Sequence, residues 1–278
     1  MAYKTILVHV DESPQWPERF EVAARLAADF GAHLVGLCIL RRPELPGYIR
    51  SAEIAEMIAE RSRDAEARVK KSRDMLLERL SRQGLSGECR VVEGEPQELA
   101  SVHGRYADLL VISQADPSAP NGAAAMQDIQ SVIFAAGRPL LIVPYVGQVK
   151  TLGTHVLVAW NASREATRAV TDALPLLQRA EKVTVMVVRP RSDAKAHGDV
   201  PGADIATYLA RHGVKVEVSA EEGEGIEVGE LILSRVADLS VDLLVTGAYS
   251  HSRLREWILG GVTRTMLESM TVPVLMAH

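Results

Sequence analysis

Lys4-Thr-Ile-Leu-Val-His-Val-Asp11, near the start of the chain, is echoed past its middle by Thr154-His-Val-Leu-Val-Ala-Trp-Asn161. Two more segments pair in the same way. Ala107-Asp-Leu-Leu-Val-Ile-Ser113 resembles Val241-Asp-Leu-Leu-Val-Thr-Gly247, and Arg138-Pro-Leu-Leu-Ile-Val-Pro144 resembles Val272-Pro-Val-Leu-Met-Ala-His278. The last two pairs share a displacement of 134 positions, whereas the first is displaced by 150. One displacement kept over separate segments marks a duplicated unit. The larger one puts extra residues between the first and fourth strands of the first copy. The copies are read as residues 1–147 and 154–278, divided by the short polar stretch Gly147–Gly153.

Within each copy, short apolar runs alternate with helical patterns. In the second copy the runs are His155–Ala159, Val183–Val188, Val214–Val218, Leu243–Thr246 and Val272–Met276. Between them, Ser163–Arg179 places Ala166, Ala169, Val170, Ala173, Leu174 and Leu177 on one helical face. Ala203–His212, Val228–Ser240 and Gly261–Met270 read as further helices. Continuous apolar strands separated by helices predict an α/β fold with a parallel sheet covered on both faces. Five strands per copy with right-handed crossovers predict two doubly wound, Rossmann-like domains of strand order 3-2-1-4-5. In the first copy Ser51–Gln83 is a lengthened, charged helix. The fifth strands, Leu140–Val143 and Val274–Met276, are apolar edges that need pairing. The two domains are expected to meet there as an intramolecular pseudo-dimer.

Composition narrows the function. Of 278 residues, 47% are hydrophobic and 24% charged, as in a folded globular protein. Aromatics at 4% are too few for a broad stacking platform, and a net charge of −5 gives no general pull toward polyanions, so nucleic acid is not an expected partner. No apolar run reaches membrane-spanning length, and the first residues lack a signal-peptide core, so a cytoplasmic protein is expected. Cys38 and Cys89 match no metal spacing and read as buried small hydrophobes.

Familiar enzyme motifs are missing. The chain has no Gly-x-x-x-x-Gly-Lys loop, no His-Glu-x-x-His pair and no Gly-x-Ser-x-Gly elbow. Gly223-Glu-Gly225-Ile-Glu-Val-Gly229 imitates a dinucleotide fingerprint. Its last spacing is one residue too long, and Glu221, Glu222, Glu224 and Glu227 would repel a pyrophosphate. It reads as a loop and a helix start.

In an open α/β sheet, ligands bind beyond the carboxyl ends of the strands, where the strand order reverses. In the second copy those ends carry Ala159-Trp-Asn161-Ala-Ser163 and the segment from Gly247 to Arg264. Trp160 reads as packing and Ser163 as a helix N-cap. Gly247 allows a sharp turn out of the fourth strand. Gly260 and Gly261 precede the last helix, whose free N–H groups and positive dipole end suit an anion. Arg253, Arg255, Arg264 and His251 add positive charge against Glu256, and Ser250, Ser252 and Thr263 offer hydroxyls. Tyr249 either stacks on a ligand or covers the sheet end.

With these residues in hand, the chain resembles a tandem universal stress protein over nearly all of both copies. The nucleotide pattern of that family is Gly-x2-Gly-x9-Gly-Ser/Thr after the fourth strand. Here its spacing stands as Gly247-x2-Ser250-x9-Gly260-Gly261, with Leu254, Leu259, Val262 and Pro273-Val-Leu275 around it. The resemblance implies that this loop holds the phosphates of an adenine nucleotide, ATP with Mg²⁺. It also places an acidic residue ending the first strand near the adenosine. That position is Asp11 in the first copy and Asn161 in the second. Ser250 replaces a glycine, Gly261 a hydroxyl residue and Asn161 an aspartate, which keeps an acceptor oxygen. In the first copy the loop positions become Ser113, Asp116, Met126 and Gln127, with no lysine or arginine between Asp108 and Arg138. That copy reads as degenerate.

The expected function is therefore a regulatory stress-response protein that binds ATP through its second domain. The site is Asn161, Gly247, Ser250, Arg253, Gly260, Gly261, Val262 and Thr263, with no catalytic residue and no protein-held metal. The alternative is a stress-family scaffold that works through protein–protein or other small-ligand contacts. A slow ATP hydrolase lacks an evident general base beside the loop. Homo-oligomers and a protein partner of unknown kind are also expected.

Overall fold

The computed structural model describes residues 2–41, 52–189, 202–222, 226–248 and 261–278. Each half begins with a strand and alternates from there. The first half comprises β1 (Thr5–Val10), α1 (Trp16–Phe30), β2 (His33–Leu40), α2 (Ala52–Gln83), β3 (Gly87–Glu93), α3 (Pro96–Gly104), β4 (Leu109–Ser113), α4 (Gly122–Ala135) and β5 (Leu140–Val143). The second comprises β6 (His155–Trp160), α5 (Arg164–Leu177), β7 (Lys182–Arg189), α6 (Ala203–Arg211), β8 (Val216–Glu222), α7 (Val228–Asp238), β9 (Leu243–Gly247), α8 (Gly261–Ser269) and β10 (Val274–Ala277).

All ten strands form one sheet in the order β3-β2-β1-β4-β5-β10-β9-β6-β7-β8. Each half therefore has the order 3-2-1-4-5. Within a half the strands are parallel; at the junction β5 and β10 run antiparallel, with Leu141 opposite Leu275. The expected pseudo-dimer through the fifth strands is what the chain builds. The eighth strand begins and ends later than the apolar run Val214–Val218 suggests, because it is a sheet edge that accepts polar Glu217, Ser219, Glu221 and Glu222 and so hides its end. The last strand likewise starts two residues late, after Pro273, which cannot donate to the ladder.

Alternating strand residues feed two cores, one per face. Ile6, Val8 and Val10 join α1, α2, α5 and α6 on one face. Leu7, Leu110 and Leu244 join α3, α4, α7 and α8 on the other. The lengthened α2 lays Leu76 and Leu80 on the sheet. Gly36 of β2 allows this, because a Cβ there would collide with the Leu76 side chain. Cys38 is buried but Cys89 is only half-buried, and their sulfurs lie 3.2 Å apart. The reading of buried small hydrophobes holds for Cys38 and is corrected for Cys89, which is only partly buried against the core. The sequence could not show that β2 and β3 are neighbours in this register.

Matched hydrogen bonds confirm the duplication. Asp108 accepts from the backbone N–H groups of Lys4 and Thr5, and Asp242 accepts from those of Thr154 and His155. The halves are also stitched by side chains. Gln114 Nε2 donates to the Leu267 carbonyl at 2.9 Å, and the Tyr3 hydroxyl donates to the Asp172 carbonyl at 2.7 Å. Among the described residues, no helix is long and apolar enough to cross a membrane.

Candidate functional site

The carboxyl ends of β1 and β4 in the first half border a cavity, and the ends of β6 and β9 hold the equivalent place in the second half. In each half a turn follows the first strand and leads into a helix. Asp11 Oδ1 accepts from Ser13 N at 3.0 Å and Asn161 Oδ1 accepts from Ser163 N at 3.1 Å. The same turn is made by the same short acceptor, as the paired segments predict.

Beyond that turn the halves diverge. In the first, Arg19 on α1 points inward and is 1% exposed. Its Nη2 donates to Asp11 Oδ1 at 2.7 Å, its Nη1 to Ser113 Oγ at 2.7 Å, and its Nε to the His9 carbonyl at 2.8 Å. One guanidinium thus ties together the ends of β1 and β4 and the start of α1. Such a buried cation persists because its donors are matched. Burial alone would raise the Asp11 carboxyl. The charges of Arg19 and His9, with the Ser13 hydroxyl, outweigh it and hold Asp11 well below the usual carboxylate range. His9 is pushed down to about 4, first by burial and then by the charges of Arg19 and Arg41, against the pull of Asp11. It is neutral at pH 7.

Over this lock lies a cavity of about 560 Å³, lined by Asp11, Arg19, Gln97, Ser113, Asp116 and Ile129 among others. Asp116 accepts from the Ser118 hydroxyl at 2.6 Å and its backbone N–H at 2.8 Å, which lower its carboxyl. A carboxylate fixed at the mouth disfavours phosphate. Met126 and Gln127, which correspond to the phosphate-loop glycines of the second half, fall inside α4 rather than at its start. They offer a ligand no free N–H groups.

In the second half the position of Arg19 is taken by Ala169, which is fully buried. Asn161 is exposed and carries no charge to lock. Ser163 Oγ accepts from Ala166 N at 3.1 Å and caps α5. Gly247 ends β9 against that cap, and a Cβ there would stand 2.5 Å from Ala166 N. Any side chain would push α5 away. β6 pairs with β9 through Ala159 and Thr246, which puts Gly247 opposite Trp160, one residue before Asn161. α8 begins at Gly261, where an added Cβ would meet nothing within 4 Å among the described residues. Val262 is half-buried against the core and Thr263 is 4% exposed. Ser250, Arg253 and Gly260 lie outside the described residues, as do Tyr249, His251 and Arg255. So do Gly223 and Gly225 of the fingerprint-like segment.

Sequence reasoning missed Arg19 and His9. A signal for Arg19 existed. It lies one helical turn before Ala23 and two before Ala27, on the apolar face of α1, where an unpaired charge does not belong.

A doubly wound five-stranded sheet repeated in one chain and joined through its fifth strands defines a tandem Rossmann-like α/β architecture. The comparison with known families is specific. Residues 2–144 and 154–278 each match the universal stress protein family, and the chain belongs to that family. It is 28% identical over 150 residues to a universal stress protein of Synechocystis, an alignment covering 53% of this chain and 50% of that protein. The chain thus spans about half the length of this curated relative. Among solved structures, it is similar to a universal stress protein of Archaeoglobus fulgidus, with TM-score 0.73, 16% identity, and 98% and 95% of the two chains covered. A functionally unknown protein of Pseudomonas aeruginosa PAO1 is similar at TM-score 0.65 and 17% identity, with 99% and 92% covered. At these identities the likeness concerns the fold.

Proposed function

We propose that this universal stress protein is a regulatory binder whose second half takes an adenine nucleotide. The observation that carries the reading is the start of α8. α8 begins at Gly261 in the same half as the Asn161 turn and Gly247, and among the described residues nothing lies within 4 Å of where a Gly261 side chain would stand. The first N–H groups of a helix lack partners within it, and its dipole favours an anion there. The family's loop spacing falls on the same residues. Gly261, Val262 and Thr263 would offer backbone N–H groups to the phosphates, and the Asn161 carboxamide would face the nucleoside. Bound Mg²⁺ would come with the polyphosphate, neutralising its charge. Binding would act by shifting conformation or partner choice, without turnover. The first half would serve as the structural partner, with Asp11 engaged by Arg19 on the floor of its cavity and Asp116 at the mouth.

Calorimetric titration of the full chain with ATP and Mg²⁺ tests this, beside Gly261→Asp. That substitution has room, and an acidic residue in a first turn suits the helix, so the variant folds. Its carboxylate opposes phosphate, and affinity should fall at least about tenfold. Equal affinity in both proteins would remove the site from α8. No binding by the unmodified chain at roughly millimolar nucleotide would leave the scaffold reading.

A further inference from the structure

We propose that Cys38 and Cys89 form a peroxide-oxidised dithiol that closes to a disulfide between β2 and β3. Gly36 pairs with Cys89 and Cys38 with Val91, so the two cysteines sit two residues apart along neighbouring parallel strands. Side chains alternate, so they share the face covered by α2. Their sulfurs are 3.2 Å apart. A disulfide needs about 2.05 Å, so closure draws them together by about 1.2 Å. β3 is the outermost strand of the sheet and has one strand neighbour, β2. It can slide by that amount without straining a second ladder.

The two thiols are unequal, as a peroxide-reactive pair requires. Cys38 is 1% exposed, whereas Cys89 is half-buried and reachable. The hydrogen bond between the two sulfurs lowers the Cys89 thiol and the charge of Arg73 adds to this, while burial and Asp74 oppose it. The same contact, together with burial, raises Cys38. Cys89 is therefore the attacking thiolate and Cys38 the resolving thiol.

The steps balance. The Cys89 thiolate attacks one oxygen of hydrogen peroxide, the O–O bond breaks, and the departing hydroxide takes a proton to become water. The resulting Cys89 sulfenic acid is attacked at sulfur by Cys38. The S–O bond breaks, and the hydroxide leaves with the Cys38 proton as a second water. Two electrons pass from the thiol pair to the peroxide. A dithiol reductant reverses the oxidation by exchange.

The test is to treat the reduced full chain with hydrogen peroxide, denature it in acid, alkylate, and weigh the intact protein. The expected product has lost two hydrogens, takes up no alkylating agent, and yields a linked Cys38–Cys89 peptide that dithiothreitol splits. Cys38→Ser should stop at a dimedone-reactive sulfenic acid on Cys89. Cys89→Ser should leave Cys38 at least roughly tenfold slower to oxidise than Cys89 in Cys38→Ser. Cys38→Ala repeats the first variant if the serine hydroxyl disturbs the core. Two free thiols after treatment of the unmodified chain would overturn the proposal. So would sulfinic acid on Cys89 beside a free Cys38, or a disulfide that joins separate chains.

Discussion

The two halves share a fold, a strand order and a turn after the first strand, yet their clefts are opposites. In the first, Arg19 fills the space behind Asp11 and binds both strand ends. In the second, Ala169 stands in that space and Asn161 carries no charge. The duplicated backbone sets where a cleft falls. One interior helix position then decides whether the strand ends are tied together by a buried charge pair or carry no charge at all.

The largest test of this contrast is Arg19→Ala, which gives the first half the residue of the second. It leaves the Asp11 carboxylate without its partner, and about 3 kcal/mol of stability should be lost in urea unfolding at neutral pH. That is the low end for broken buried pairs, because Asp11 is 33% exposed. A loss under about 1 kcal/mol would mean that solvent already satisfies Asp11, and the distinction between the clefts would fail.

Acid offers a second test. His9 titrates at about 4 when folded and near 6.5 when unfolded. Between these values the unfolded chain holds a proton that the folded chain does not. Stability should therefore fall as pH drops from about 6.5 to 4, by about 3 kcal/mol. Asp11, with its lowered carboxyl, adds a further loss below the ordinary aspartate range. The counterpart of His9 is Ala159, so His9→Ala should flatten the upper window and leave the acid response of the second half alone. An unchanged slope would place the titrating group elsewhere.

The smallest effect separates the two serines that follow the strand ends. Ser163 caps α5, whereas Ser13 donates to Asp11 and α1 has no side-chain cap. Ser163→Ala should cost about 1 kcal/mol in thermal or urea unfolding. A neutral result would show that the cap is redundant with the packing of Gly247 against Ala166.

Much of this molecule could be read without coordinates. The repeat and the continuous apolar strands led to two doubly wound domains, because parallel strands buried on both faces leave that pattern. The apolar fifth strands led to the junction. Edge strands were blurred, as at Val216–Glu222, where an outer strand with one neighbour tolerates exposed and polar residues without a regular period. The sites were less legible. The turn at Asn161 and the strand end at Gly247 were legible because turn chemistry and the paired segments mark them. Arg19 was overlooked because its partners lie on β1 and β4, far away in sequence. Cys38 and Cys89 likewise became a pair only once the register of β2 and β3 was known.

The antiparallel junction of β5 with β10 has a consequence for how such a chain can change over generations. Where two identical subunits meet across a symmetry axis, every substitution appears twice, and a change that spoils one cleft spoils both. Fusion into one polypeptide lifts that constraint while keeping the shared ladder. In this chain each half covers the other's apolar edge, so the second half needs the fold of the first whatever its cleft binds. A change at one cleft, such as arginine against alanine at positions 19 and 169, leaves the other cleft untouched.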